Sequence, residues 1–236
     1  HSKARKTFTY PGYATSHGDA RVSSSGIPTA GSHTASGTGY TASMTDAMQT
    51  QVLDFWFGAL GPDGKVAPEK QARWWKKSSE FDVLCREQFE EALRGATQAT
   101  ANAATATARG ALAFIILCDQ LSRNMYRDTP GAFATDSLAL AVTQKLISSE
   151  LLKQLSPVEK SFALMPLMHS EELSVQEQSV QQFTALAEEG HNNLDFAKSH
   201  KKIIDQFGRY PHRNAIMGRE STPEELRFLD GPGSSF

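Results

Sequence analysis

From Gln49 onward the apolar positions recur at helical spacing. Val52, Leu53, Phe55, Trp56 and Phe57 form a short, very apolar segment that stops at Gly58, and Gly61-Pro62-Asp63-Gly64 is a loop by composition. A second helix is predicted around Pro68 to Lys77, carrying Trp74 and Trp75. Ser79 before Glu80-Phe81-Asp82 is a capping-box-like start, and Phe81, Leu84, Cys85, Phe89 and Leu93 follow on one helical face. Residues 95–108, mostly Ala and Thr, read as a weak helix or a low-complexity linker. Leu112 to Leu121 is the most apolar run, and its length favours a buried helix over a strand. Thr129-Pro130 puts a cap residue before a Pro at the first helical position, which predicts a helix through Leu146. Ser156-Pro157-Val158-Glu159 is a stronger start of the same kind. Val175, Val180, Phe183, Leu186 and Ala187 mark a further helix ended by Gly190. Asn193 caps the next one, whose apolar side is Phe196, Ala197, His200, Ile203, Ile204 and Phe207. Thr222-Pro223-Glu224-Glu225 opens the last. No sustained period-2 run or hairpin signal occurs. The expected class is all-α, with about eight helices joined by short loops. No repeat of about 34 residues is visible.

Composition narrows the function classes. The chain has 236 residues, 24 Lys+Arg against 26 Asp+Glu, and a formal charge of −2, which argues against a generally basic nucleic-acid binder. Hydrophobic residues make up 39%, enough for a buried core. No run approaches about 18 apolar residues, so no membrane partner is expected. Cys85 and Cys118 each lie in apolar stretches and read as reduced packing residues. Residues 1–48 differ from the rest: 16 Ser and Thr, six Gly, four basic residues and two acids. With few large aliphatics, this segment is expected to be a disordered leader or targeting segment, with 49–236 a single all-α domain. A cytoplasmic location is expected, or an organellar one if residues 1–43 are a transit peptide. Alternatives for the segment are a start at Met44 or Met48, or a solvated tail.

Three clusters carry candidate chemistry. In Asp119-Gln120-Leu121-Ser122-Arg123-Asn124-Met125-Tyr126-Arg127, Asp119 and Arg123 lie four apart and share a helix face, which Arg127 continues. An ordered Asp presenting two guanidinium forks suits an anion, while a plain ion-pair network at a helix end gives the same pattern. In Pro166-Leu167-Met168-His169-Ser170-Glu171-Glu172, a His beside carboxylates suits acid–base or metal chemistry, or a hydrogen-bonded core His. Gln176, Glu177 and Gln178 beyond it extend the polar character, and fit a solvated face equally well. The third is the densest: His200, then Phe207-Gly208-Arg209-Tyr210-Pro211-His212-Arg213-Asn214, then Arg219-Glu220. There Gly208 ends one helix, and Arg209, His212 and Arg213 sit near the start of the next, where an anion is favoured. Trp74-Trp75-Lys76-Lys77 reads as core Trp beside a solvated Lys face, and Cys118 lacks an adjacent cation to stabilise a thiolate. There is no GxSxG, P-loop or GxGxxG.

These stretches resemble a known family. Val52-Leu53-Asp54-Phe55-Trp56-Phe57-Gly58, Asp119-Gln120-Leu121-Ser122-Arg123-Asn124, Phe133-Ala134-Thr135-Asp136, Pro166-Leu167-Met168-His169-Ser170-Glu171, Phe207-Gly208-Arg209-Tyr210-Pro211-His212-Arg213-Asn214 and Gly218-Arg219-Glu220-Ser221-Thr222-Pro223-Glu224-Glu225 match it in order. The chain from about Val52 to Leu229 resembles the bacterial-type domain of unknown function 924 family, placed in the tetratricopeptide-like helical superfamily. The resemblance implies stacked antiparallel helix pairs, tetratricopeptide-like. It brings no agreed reaction and no established catalytic residues.

Two functional readings follow. In the first, a helical module binds an anionic small molecule or peptide through Asp119, Arg123, Asn124, Arg127, His169, Arg209, His212, Arg213 and Arg219. In the second, a metal- or His-assisted hydrolase acts on a phosphorylated or carboxylate substrate, with His169, Glu171, His200 and His212 as catalytic candidates and Asp119 and Glu220 as further acids. No cofactor is implied and no metal site is assigned. A third, structural reading has the motifs stitch helices together. Arginines that each pair with an internal acid, leaving no cavity, count against both functional readings.

Overall fold

The computed structural model describes residues 44–191 and 193–234, so the leader expected upstream lies outside the described residues as far as position 43. The described residues hold helices and no strand. In chain order these are α1 (Asp46–Trp56), α2 (Pro68–Trp75), α3 (Ser79–Arg94), α4 (Gln98–Ala104), α5 (Ala108–Ile115), α6 (Ser122–Met125), α7 (Asp136–Ser148), α8 (Pro157–His169), α9 (Leu173–Glu188), α10 (Leu194–Phe207) and α11 (Pro223–Leu229). A π-helical segment, Ile116–Leu121, joins α5 to α6, and 3₁₀ turns fall at Pro130–Phe133, Leu151–Gln154 and Pro211–Arg213. The all-α class is as expected, and the count of about eight was low because several helices are short.

Helix boundaries follow the capping chemistry. The Thr45 hydroxyl accepts from Met48 N, so α1 begins before Gln49, and Met44 and Met48 pack against the core. Ser78, not Ser79, caps α3. The Ala/Thr stretch holds one short helix, α4, then a turn and the first residue of α5. A Thr97–Thr100 capping box starts α4, and Thr107 starts α5 by accepting from Gly110 N. Its alanines are not linker: Ala101, Ala104 and Ala108 are buried, their small side chains allowing close approach. The helix predicted from Thr129-Pro130 through Leu146 is broken. The Thr129 hydroxyl donates to Tyr126 O at 2.7 Å, closing the preceding turn instead of capping the next. Pro130–Phe133 is then only a 3₁₀ turn, and α7 starts at Asp136. The Ser156/Glu159 and Thr222/Glu225 capping boxes form as predicted. Gly208 ends α10 at φ +69°, the left-handed position that favours glycine.

The rod α5–π–α6 runs through the middle, buried along its apolar length, with α1, α3, α7 and α8 around it. Phe162 of α8 gathers Trp56, Phe57, Trp74 and Trp75, the closest ring being Trp74 at 4.6 Å. Trp74 Nε1 donates to Trp56 O at 3.1 Å, so the double Trp is a wedge into the core, and Lys76 and Lys77 are exposed. α8, α9 and α10 pack in succession, and the C-terminal segment closes on them through Ile203, Ile204, Tyr210, Phe207 and Phe228. Among the described residues no helix is long and apolar enough to cross a membrane.

Candidate functional site

The π-helical segment sets the site. A π turn is wider than an α turn and rotates the residues that follow it, a device found often at functional sites. Here it carries Asp119, which has no solvent exposure. The slipped ladder leaves Cys118 O to the hydroxyls of Ser122 (2.7 Å) and Thr135 (2.6 Å). The Asp119 carboxylate accepts from Gln120 Nε2 at 2.6 Å and His169 Nδ1 at 2.7 Å, and lies 3.2 Å from Arg123 Nη1. Burial opposes its ionisation, but the Arg123 charge and the hydrogen bonds from His169 and Gln120 outweigh it and hold the carboxyl well below the usual range.

His169 is the last residue of α8. An ionised carboxylate only accepts, so Nδ1 carries a proton, and in the neutral ring Nε2 holds the lone pair. Nε2 makes no hydrogen bond among the described residues, and the side chain keeps 18% exposure. Arg123 is fully engaged: it forks onto Asp136 with two contacts of 2.9 Å and also reaches Asp119.

Arg213 is different. It is 8% exposed, and its guanidinium lies 4.7 Å from the Phe133 ring and 4.6 Å from the Tyr210 ring. Its nearest carboxylate, Asp136, is 3.7 Å away and already engaged by Arg123. The side chain makes no hydrogen bond to any described residue, and its Nε is buried. Burial and the Arg123 charge push its pKa down. A row of rings links this arginine to His169: His169 to His200 at 6.2 Å, His200 to Tyr210 at 5.8 Å, and Tyr210 to His212 at 5.5 Å. Burial lowers His200 to about 3 and His212 to about 4, so both are neutral near pH 7.

The other predicted site residues go elsewhere. Arg127 forks onto Asp82 at 2.7 and 2.8 Å, and Asn124 donates to the same carboxylate at 2.9 Å, tying α6 to α3. Arg209 forks onto Glu225 at 2.7 and 2.8 Å and donates to Glu220 O, pinning α11. Arg219 forks onto Glu171 at 2.7 and 3.0 Å, and Glu171 also accepts from Tyr210 N. Asp119, Arg123, His169, His200, His212 and Arg213 are thus brought together, whereas Asn124, Arg127 and Arg209 hold helix ends.

Sequence reasoning passed over four participants. Asp136 and Phe133 lay inside a family-like stretch but were given no role. Tyr210 donates to Met168 O and receives from Gln176. Gln176, read as part of a solvated face, is fully buried and donates to Met168 O and Ser170 O, satisfying the C-terminal carbonyls of α8. Cys85, pushed up to about 12 by burial, and Cys118, pushed up further, are no nucleophiles. Among the described residues no group of three or more His, Cys, Asp or Glu is placed to hold a metal. A depression of about 400 Å³ between α4 and α7 is lined by Gln98, Ala101, Thr105, Val142 and Lys145 among others, and by none of the predicted site residues.

The profile of a family described as "bacterial protein of unknown function" (DUF924) matches residues 52–233. A solved structure of a protein of unknown function from Agrobacterium tumefaciens is similar at 30% identity, with a TM-score of 0.67, over 78% of this chain and 98% of that one. No curated protein matches. An extended match of this kind, over nearly all the residues that build the helices and the buried Asp119–Arg123–His169 cluster, shows the family: the chain belongs to the DUF924 family of bacterial proteins of unknown function.

Proposed function

We propose that the protein binds a small anionic molecule, carrying a carboxylate or phosphate group, at Arg213 beside His169 and His212. The observation that carries this reading is the state of Arg213: a buried guanidinium with no hydrogen bond to a described residue and one shared carboxylate at 3.7 Å. Its Nε–H is buried without a partner, and leaving one buried donor unsatisfied costs about 1–3 kcal/mol. An anion recruits the guanidinium donors in charge-assisted hydrogen bonds. Arg123, Arg127, Arg209 and Arg219 are already neutralised by internal acids, so they do not compete for that role. Neutral His212 and the open Nε2 of His169 give the ligand further polar partners.

The test is the melting temperature of the full chain with inorganic phosphate or succinate added. Binding to the native state raises it in proportion to RT ln(1 + [L]/Kd). Arg213→Met, which keeps the length and removes the charge, is expected to abolish the rise. Arg209→Ala is expected to keep it, because that side chain belongs to the α11 clamp. An equal rise in Arg213→Met and wild type refutes the site.

A further inference from the structure

We infer that His169 is a catalytic base, held by Asp119, and that the bound anion is a carboxylic ester which the site hydrolyses; this rests on the anion site proposed above. Three features of the geometry carry it. Asp119 is fully buried, ionised, and spends one oxygen on His169 Nδ1 at 2.7 Å, which fixes both the ring and its tautomer. The opposite ring nitrogen, Nε2, is free of hydrogen bonds among the described residues, on a side chain that still meets solvent. The cationic anchor is connected to it through packed rings: Arg213 lies 4.6 Å from the Tyr210 ring, Tyr210 meets His200 at 5.8 Å, and His200 meets His169 at 6.2 Å. A structural His needs no exposed second nitrogen and no fully desolvated carboxylate behind it. A general base needs both, because the carboxylate stabilises the imidazolium that forms.

The chemistry balances with water as the only co-reactant. His169 Nε2 takes a proton from a water molecule, and the water oxygen forms a bond to the acyl carbon. The bond between acyl carbon and alkoxy oxygen then breaks, its electron pair leaving on oxygen, and the proton on Nε2 passes to that oxygen. The products are an acid and an alcohol, and the imidazole returns neutral. Arg213 selects esters that carry a carboxylate at their other end. No protein nucleophile is required, in keeping with two buried thiols of raised pKa.

The experiment compares two chromogenic esters on the full chain: the mono-p-nitrophenyl ester of succinate, which is anionic, and p-nitrophenyl butyrate, which is neutral. The anionic ester is expected to be hydrolysed with kcat/KM at least about 10-fold higher. His169→Asn places its amide near the position of Nδ1, keeps the donor to Asp119 and deletes Nε2. It is expected to lower kcat by about 100-fold, the usual worth of a positioned base. Its circular dichroism should stay as in wild type, and succinate should still raise its melting temperature through Arg213, by less than in wild type because the Nε2 contact is gone. Arg213→Lys is expected to raise KM for the anionic ester alone. Hydrolysis by His169→Asn at the wild-type rate overturns the inference. So does stabilisation by succinate with neither ester turned over, an outcome that leaves the binding reading standing. Absence of both stabilisation and turnover overturns the two together.

Discussion

His200 gives the sharpest test of the buried cluster, because its environment fixes both the sign and the size of a pH effect. The ring is 7% exposed, and its Nδ1–H donates to Phe196 O at 2.8 Å. Burial is the main reason that its pKa falls to about 3; repulsion from a protonated His169 and from Arg213 pushes the same way, and the hydrogen bond to the Phe196 carbonyl pushes against. In the unfolded chain an ordinary histidine titrates near about 6.5. As pH falls through that value the unfolded state takes up a proton and the folded state does not. Stability present above about pH 6.5 is therefore lost progressively toward about pH 3, at about 1.4 kcal/mol per pH unit. Between about pH 7.5 and pH 5 the loss from His200 alone is about 2 kcal/mol, a large share of the stability of an ordinary domain. His212, lowered to about 4, and His191, lowered by burial, act in the same direction. The depressed carboxylates, Glu225 and Asp119 among them, lose their contributions only at lower pH and leave this window to the histidines.

The perturbation is His200→Asn, whose amide lies near the position of Nδ1, keeps a donor toward Phe196 O and cannot take up a proton. Urea unfolding followed by far-ultraviolet circular dichroism, at steps from about pH 7.5 to about pH 5, gives the free energy of each protein. At pH 7.5 the two should agree to within about 1 kcal/mol. At pH 5 the variant should have lost about 2 kcal/mol less than wild type, a gap of about 5 °C in melting temperature for a domain of this size. Curves that stay parallel across the whole range refute the placement of His200 as a buried neutral ring, and with it the ring row from His169 to His212.

Two further outcomes concern the frame around the site. Arg209→Ala strands the Glu225 carboxylate, whose pKa is held at about 2 chiefly by that arginine, and should lower the melting temperature. Amide exchange should show α11 opening first while the rest of the helical signal persists; uniform protection across α11 in the variant contradicts the clamp. Gly208→Ala should cost about 1–2 kcal/mol from left-handed backbone strain alone, since no atom lies within 4 Å of the added methyl. An unchanged urea midpoint contradicts the assigned end of α10.

The fold class was legible because helix formation is local. Caps such as Ser156/Glu159 and Thr222/Glu225 lie three residues apart, and the apolar faces repeat within a turn or two. Legibility failed where one residue had two local uses. Thr129 closes the turn behind it instead of capping ahead, and Ser78 and Ser79 were interchangeable by pattern. The π turn has no period of its own, so the inward rotation of Asp119 had no signal. The site was half legible for a related reason. Arg and His positions are visible in a sequence, but whether each cation is already neutralised depends on acids far along the chain. Arg123 meets Asp136 across 13 positions, Arg127 meets Asp82 across 45, and Arg219 meets Glu171 across 48. Spacing shows none of these pairs, so five arginines looked equivalent. The carboxylates separate them: Arg123 takes both oxygens of Asp136, and Arg213, buried against the same acid at 3.7 Å, has no hydrogen-bonded counter-charge among the described residues. A binding site is marked here less by where arginine is placed than by where its neutralising acid has been given to another.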